Sequence, residues 1–397
     1  MTESPRSRDA EVREKTTVLL QSVISALQSL LVGITQLTPG HLVMILVGCV
    51  LLYLGIGRGI EPLLFVPIGF GAILVNIPLA AVMGEGGFLR TLYNIGIITE
   101  LFPILIFIGI GAMTDFSPLL ENPKILLLGA AGQFGIFLTL LLALALGYTP
   151  LESLAIGIIG ACDGPTAIYV TSNYAPHLLG SVSVAAYSYM SLVPIIQPPI
   201  MRFLTTEREK KISMHSVKKS VSRNTRILFP ILVTLFTAVV APMGIPLMGP
   251  LMLGNLMKES GCVERLANTS ANEIANIVTL LLGLTIGATM EASQFLNVRT
   301  LGIFALGFVA ITFDTAMGVL FGKLMCFATG GKINPLIGAA GISAFPMSAR
   351  VVQTVGLQYN KKSHLLMHAM GANTGGQIGS VMAAAIMLSI VSGMGLR

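Results

Sequence analysis

Apolar residues along this chain gather into long runs, separated by short polar, glycine-rich or proline-rich connections. The runs cover 17–37, 41–57, 62–83, 96–114, 124–147, 151–172 and 181–200, then 227–241, 246–257, 274–291, 299–328, 333–356 and 364–393. A hydrocarbon core of about 30 Å takes about 20 helical residues, so most of these runs predict membrane-spanning helices. The 246–257 run is too short to span, and it predicts a half-helix or re-entrant segment. The 17–37 run carries a polar stripe, Gln21, Ser25, Gln28 and Ser29. It reads either as a span or as a helix lying in the interface.

Between the two groups of runs lies a polar stretch, Arg202 to Arg226, holding Arg202, Arg208, Lys210, Lys211, Lys218, Lys219, Arg223 and Arg226. The positive-inside rule makes it a cytoplasmic loop. It serves as a solvated topology signal or as a docking point for a cytosolic partner. The runs on either side repeat each other. Pro67–Gly71 aligns with Pro250–Gly254, Gly111–Asp115 with Gly287–Glu291, and Gly160–Pro165 with Gly341–Pro346. All three matches share an offset of about 180 residues, which marks an internal duplication. Each unit then has six runs, of which 246–257 and its repeat counterpart 62–83 read as re-entrant segments or half-helices. Five crossings per unit invert the second copy relative to the first. With 17–37 the total is about eleven spans, placing the N-terminus and the basic loop in the cytoplasm. The organisation expected is a tail and first helix (1–40), repeat 1 (41–200), the basic loop (201–226) and repeat 2 (227–397).

Composition narrows the class. Hydrophobic residues make up 54% and charged residues 11% of the chain, against about 25% charged in soluble domains. An all-α polytopic membrane protein embedded in a lipid bilayer follows. The net charge of +6 sits in the connections and does not indicate nucleic acid. The first fifteen residues mix acids and bases and do not read as a signal peptide. Cys49, Cys162, Cys262 and Cys326 lack CxxC spacing and read as buried small hydrophobes. No Walker, Rossmann or Ser-His-Asp pattern is present, so nucleotide hydrolysis within the chain is excluded as a reading.

The candidate chemistry centres on Asp163, set in Gly160-Ala-Cys-Asp163-Gly164-Pro165 inside the 151–172 run. A carboxylate at membrane depth costs a few kcal/mol or more, and flanking glycine and proline open the helix and free its carbonyls. Together these build a site for a hard cation such as sodium; a structural ion pair with Arg350 is the competing account. In the second repeat Ser343 and Pro346 mark the matching break, with Ala344 at the position of Asp163. Ser343 is an ion ligand or a helix-satisfied hydroxyl. Asn334, before Pro335, is a ligand or a helix cap. Arg350, four residues past Pro346, grips a carboxylate or reaches to the membrane face. Tyr187 and Tyr189 relay a proton or pack. The stretch Gly371 to Ser380 carries Asn373, Gln377 and Ser380 among glycines, either as a further helix break offering oxygens or as a close-packing surface. His364 and His368 lack the acids or cysteines a metal site needs.

Three long motifs, around Asp163, around Tyr187–Tyr189 with Gln197-Pro-Pro, and from Asn334 through Gly338 and Ser343 to Arg350, make the chain resemble the beta subunits of biotin-dependent sodium-pumping decarboxylases over about His41 to Ser380. The family acts on oxaloacetate, methylmalonyl-CoA, glutaconyl-CoA or malonate. The resemblance implies a translocase of the cytoplasmic membrane that decarboxylates carboxybiotin, consumes a proton and exports Na+. A biotin carrier and carboxyltransferase alpha subunit would supply the carboxybiotin, so this chain would hold no covalent cofactor; a small gamma or delta subunit and self-association are further implied. The family's essential residues carry over to Asp163, Tyr189, Asn334, Gly338, Ser343 and Arg350. The resulting expectation has Asp163, Asn373, Ser343 and Asn334 on Na+, Gly164 and Gly338 as supporting backbone, and Arg350 and Tyr189 on carboxybiotin. Gly371-Ala-Asn373 lacks a proline expected of oxaloacetate enzymes, and Gly84–Ile95 is short where some of them carry a long insertion. Both differences point to an acyl-CoA or malonate system. A stand-alone Na+/H+ exchanger would share the inverted repeats and the buried acid but not the motifs.

Overall fold

The computed structural model describes residues 35–214, 221–393 and 395. The 17–37 run lies almost wholly outside the described residues, as do positions 215–220 of the basic loop. Among the described residues the chain is all helical. Among the described residues seven helices are long and apolar enough to cross a membrane, or eight if the pair Phe88–Ile98 and Leu101–Met113, bent by 60°, is one span. The bend falls at Glu100, whose left-handed backbone (φ 62°) breaks the run. The expected count of eleven is not confirmed: among the described residues several apolar runs fold as short or interrupted helices rather than as straight spans.

The helices used below are α1 (Pro39–Arg58), α2 (Pro62–Val75), α3 (Leu101–Met113), α4 (Leu126–Ala131), α5 (Phe134–Ala145), α6 (Pro150–Gly157), α7 (Gly164–Tyr174), α8 (Leu179–Leu204), α9 (Arg223–Val240), α10 (Ile245–Ser260), α11 (Ala275–Ala288), α12 (Val298–Ala328), α13 (Met347–Tyr359) and α14 (Leu366–Gly393). As expected, α2 and α10 are short, with 14 and 16 residues, about 21 and 24 Å.

The sequence repeat has a direct counterpart in packing. Helix α2 of the first unit crosses α11 of the second, where a Cβ on Gly71 would overlap the Leu284 carbonyl and one on Gly287 would overlap that of Ile68. Helix α10 of the second unit crosses α3 of the first in the same manner, through Gly254 against Ile108 and Gly111 against Leu251. Gly71 and Gly254 are repeat equivalents, as are Gly111 and Gly287, so one crossing is the other with the units exchanged. Asparagines seal both. Asn76 donates to the Met290 carbonyl at 2.8 Å and Asn255 to the equivalent Thr114 carbonyl at 3.1 Å. Without bulk water, backbone oxygens left open by a helix end need such partners.

Helix α12 measures the molecule's depth. At its start, Arg299 and His177 both reach Glu152 (3.2 and 3.0 Å), which also closes a capping box with Thr149. Near its end Lys323 donates to the Leu204 carbonyl at 3.1 Å and lies 3.7 Å from Glu209. Residues 299 and 323 are about 36 Å apart along a helix, so the two polar belts bracket one hydrocarbon thickness.

The cysteine expectation is corrected in part. Cys162 and Cys326 are buried, but Cys49 and Cys262 are exposed, because Cys49 faces outward on α1 and Cys262 sits in the turn after α10.

Candidate functional site

The 151–172 and 333–356 runs are both interrupted, at repeat-equivalent places. In the first, α6 tightens over Ile158–Ala161, Cys162 turns into the left-handed region (φ 51°), and Asp163 starts α7. In the second, a tight helix over Pro335–Gly341 gives way to an extended stretch at Ile342, and α13 begins after Pro346. The two breaks touch. The Ser343 N–H donates to the Ala161 carbonyl at 3.1 Å. Gln133, just before α5, seals the joint from the side, its Nε2 donating to the carbonyls of Gly129, Gly341 and Gly376 at 3.1, 3.1 and 3.3 Å.

Asp163 is 4% exposed and caps α7. Its Oδ2 accepts the Thr166 hydroxyl at 2.7 Å and the Ser380 hydroxyl at 2.9 Å, and its Oδ1 accepts the Thr166 N–H at 3.3 Å. The structural alternative, a pair with Arg350, is not what holds it. Three neutral donors and a helix N-terminus favour the anion without cancelling its charge.

Helix α14 corrects one expectation. The glycines at 371–380 do not break it: α14 is continuous from Leu366 to Gly393. They bring it into contact with the other elements, since a Cβ on Gly376 would overlap the Gly341 carbonyl and one on Gly129 would overlap Gly375. The helix still delivers its oxygens. Asn373 and Gln377, one turn apart on one face, are buried, and their Oδ1 and Oε1 have no hydrogen-bond partner among the described residues. The Asn373 Nδ2 donates to the Ile342 carbonyl at 2.6 Å, and the Ser343 hydroxyl donates to the Gly376 carbonyl at 2.8 Å. Orphaned amide oxygens, a carboxylate and hydroxyls are the donor set a hard monovalent cation takes.

A cavity of about 520 Å³ opens beside this cluster, lined by Asp163, Gly164, Tyr187, Ser343, Gln377 and Glu61 among others. Gly164 is needed here: a Cβ there would overlap the Tyr187 ring. The structure separates the two tyrosines. Tyr187 lines the Asp163 cavity, whereas the Tyr189 hydroxyl donates to the Phe304 carbonyl of α12 and its ring lies against Gly307.

Asn334 lies apart from Asp163. Its Oδ1 accepts the Leu336 N–H at 3.0 Å, capping the tight helix, and its Nδ2 donates to the Ile212 carbonyl at 2.8 Å on the basic connection. Gly338 lets that tight helix meet α12 backbone to backbone, since a Cβ would overlap the Gly318 carbonyl. Gly338→Ala is therefore expected to lower stability by about 1–3 kcal/mol, measured as a fall in the detergent melting temperature of the purified protein.

Arg350 is exposed and lines a second cavity of about 590 Å³ with Arg202 and the apolar edges of Pro194, Ile195, Pro198 and Met347. Arg202 holds Gln358 at 2.8 Å, and Gln358 lies eight residues beyond Arg350 on α13. Arg350 thus sits about 12 Å along α13 from the residue that Arg202 holds. Among the described residues neither arginine has a carboxylate partner.

Four residues of this region are not among the candidates that the sequence offers. Gln133 and Thr166 are ordinary polar residues in apolar runs, and Arg202 reads only as loop charge. Asp314, fully buried in α12, is an acid inside an apolar run, the same signal that singled out Asp163.

A family model described as the Na+-transporting oxaloacetate decarboxylase beta subunit matches residues 40–391. The chain is 53% identical to the glutaconyl-CoA decarboxylase subunit beta of Acidaminococcus fermentans over 361 residues, covering 91% of this chain and 96% of the relative. It is 51% identical to the methylmalonyl-CoA decarboxylase subunit beta of Veillonella parvula, covering 96% and 99%. To the oxaloacetate decarboxylase beta chain 2 of Salmonella typhi it is 45% identical, covering 94% and 100%.

Proposed function

The chain belongs to the family of Na+-transporting decarboxylase beta subunits, and from that membership we propose that it exports sodium through the Asp163 break at the expense of carboxybiotin decarboxylation. The observation that carries the coupling is a single segment, Ser343 to Arg350. At one end Ser343, Phe345 and Pro346 line the cavity of Asp163; at the other Met347 and Arg350 line the cavity of the two arginines. A carboxylate bound or lost at Arg350 therefore acts on the element that presents Ser343 to the ion.

In this reading Asp163, Asn373, Ser343 and Gln377 ligand Na+, with Gly164 and Gly338 giving the close approaches the site needs. Asn334 acts by fixing the tight helix that leads into Ser343. Arg350, with Arg202 nearer the basic loop, holds the carboxylate of carboxybiotin brought by an alpha subunit. Decarboxylation turns carboxybiotin and one proton into biotin and CO2. Tyr187 is the phenol inside the ion cavity and passes the proton, while Tyr189 anchors the same helix to α12. The two units, 41–200 and 227–397, rock as inverted halves in the cytoplasmic membrane, with loop 202–226 and the N-terminus on the cytoplasmic side. A gamma or delta subunit and self-association complete the assembly. The higher identities to the two acyl-CoA relatives than to the oxaloacetate one support an acyl-CoA as the complex's substrate.

Reconstitution tests the reading. Proteoliposomes with the alpha subunit are expected to take up 22Na+ only when carboxybiotin is present. Sodium–proton exchange by this chain alone would instead favour the stand-alone exchanger. Within the site, Asn373→Ala is expected to raise the sodium concentration for half-maximal decarboxylation roughly ten- to a hundredfold with little change at saturating sodium, as read from a sodium titration.

A further inference from the structure

The offset that carries Gly160 to Gly341 also carries Gln133 to Asp314. Each residue packs against the break of the other unit. Gln133 shows what the position does with a neutral donor. Its Nε2 donates to the Gly129 carbonyl four residues back and to the Gly341 carbonyl in the facing break. Asp314 faces the equivalent pair, Ala310 and Gly160. Its Oδ1 accepts the Gly135 N–H, while its Oδ2 is buried with no hydrogen-bond partner among the described residues. A Cβ on Gly160 would stand 2.8 Å from that Oδ2, and one on Gly135 would stand 2.6 Å from the Ala310 carbonyl.

Two glycines thus press on the carboxyl and leave no shell for a metal cation. Asp314 also lies near the middle of the 31-residue α12, where a carboxylate with one N–H partner is costly to hold ionised. A hydrogen on Oδ2 removes both problems, because it makes the orphan oxygen a donor toward the Ala310 carbonyl, as the Gln133 amide is toward Gly129. The titratable groups facing it are few. Cys162 and Asp163 belong to the break, Tyr189 of α8 meets α12 at Gly307, and the Glu152–Arg299 and Lys323–Glu209 contacts lie at the two ends of α12. Helices α4 and α5 and the tight helix at Pro335–Gly341 bring none.

We propose that Asp314 is a proton-holding acid of the transport cycle, neutral while packed on Gly160 and exchanging its proton when the Asp163 break moves. This rests on the coupling proposed above: the proton given up is one that decarboxylation consumes, and the carboxylate left behind is reprotonated from water before the next turnover.

The test uses the full complex and two variants, Asp314→Asn and Asp314→Ala. Infrared difference spectra of the wild type with and without sodium are expected to show a protonated-carboxyl C=O band that shifts, and that Asp314→Asn lacks. The Asn variant is expected to assemble, because an amide already fills the equivalent position at Gln133. Its sodium-dependent decarboxylation should fall by about a hundredfold, and its pH profile should move by about one unit. A band unchanged in the variant, or wild-type rate and pH profile in Asp314→Asn, overturns the proposal. Failure of both variants to assemble also overturns it, since Asp314 would then be a packing clamp. If the wild-type complex itself shows no sodium-dependent decarboxylation, the functional reading fails, while the infrared band still decides Asp314.

Discussion

Asp163→Asn is expected to abolish sodium-dependent decarboxylation of carboxybiotin while carboxyl transfer to biotin on the partner continues. The substitution isolates charge from shape. Asparagine caps a helix about as well as aspartate, so the Thr166 N–H keeps its acceptor and α7 keeps its start. What disappears is the anion. Ser343, Asn373 and Gln377 offer only neutral oxygens, and a monovalent cation held by these alone at membrane depth lacks a counter-charge worth several kcal/mol. The amide also brings an NH2 toward the Thr166 and Ser380 hydroxyls that now donate to Oδ2. Activity should drop by more than about a hundredfold, each 1.4 kcal/mol being tenfold. The measurement is carboxybiotin decarboxylation against sodium concentration, alongside 22Na+ uptake in proteoliposomes. Full pumping by the variant would sink the assignment of Asp163 to the ion.

The second large effect is expected at Arg350. Removing the guanidinium in Arg350→Gln takes away the cation proposed to meet the substrate carboxylate, a change that typically costs about 2–5 kcal/mol, or roughly thirty- to several thousandfold. Arg350→Lys should recover only part, because an ammonium cannot make the paired, coplanar contact. Sodium binding should be spared, since Arg350 lines the other cavity from Asp163. The discriminating pair of measurements is decarboxylation at saturating sodium and sodium-dependent protection from proteolysis. Loss of both together would place Arg350 in the ion site, against its position here.

The features legible in the sequence are those that a membrane makes expensive or a duplication makes visible. Asp163, the Gly/Pro breaks and the Ser343–Arg350 segment stand out because buried charge and interrupted helices are rare in apolar runs. Asn334 left two readings open; the cap contact to Leu336 is local, whereas the amide's hold on the basic connection at Ile212 has no signal in the sequence. The glycines of α14 misled for a physical reason: small residues both break helices and let helices touch, and only the facing Gly129 and Gly341 tell which. Tyr187 and Tyr189 differ by two positions, so they point to different sides of one helix, and no periodicity said which side held Asp163. Asp314 stands out less than Asp163 because it lacks the adjacent glycine and proline and sits in an unbroken 31-residue helix.

The exchanged crossings of α2 on α11 and α10 on α3 bear on how the protein is made. When the ribosome has finished the first unit, the glycine grooves at Gly71 and Gly111 have no occupant, because Gly287 and Gly254 are not yet synthesised. The early half therefore enters the bilayer with two open seams, filled by lipid or by whatever insertion machinery shields them. The seam on α3 can close once α10 has been built, and the seam on α2 only once α11 has followed it. The second unit thus supplies the missing packing of the first, rather than being added as a second domain to a completed one.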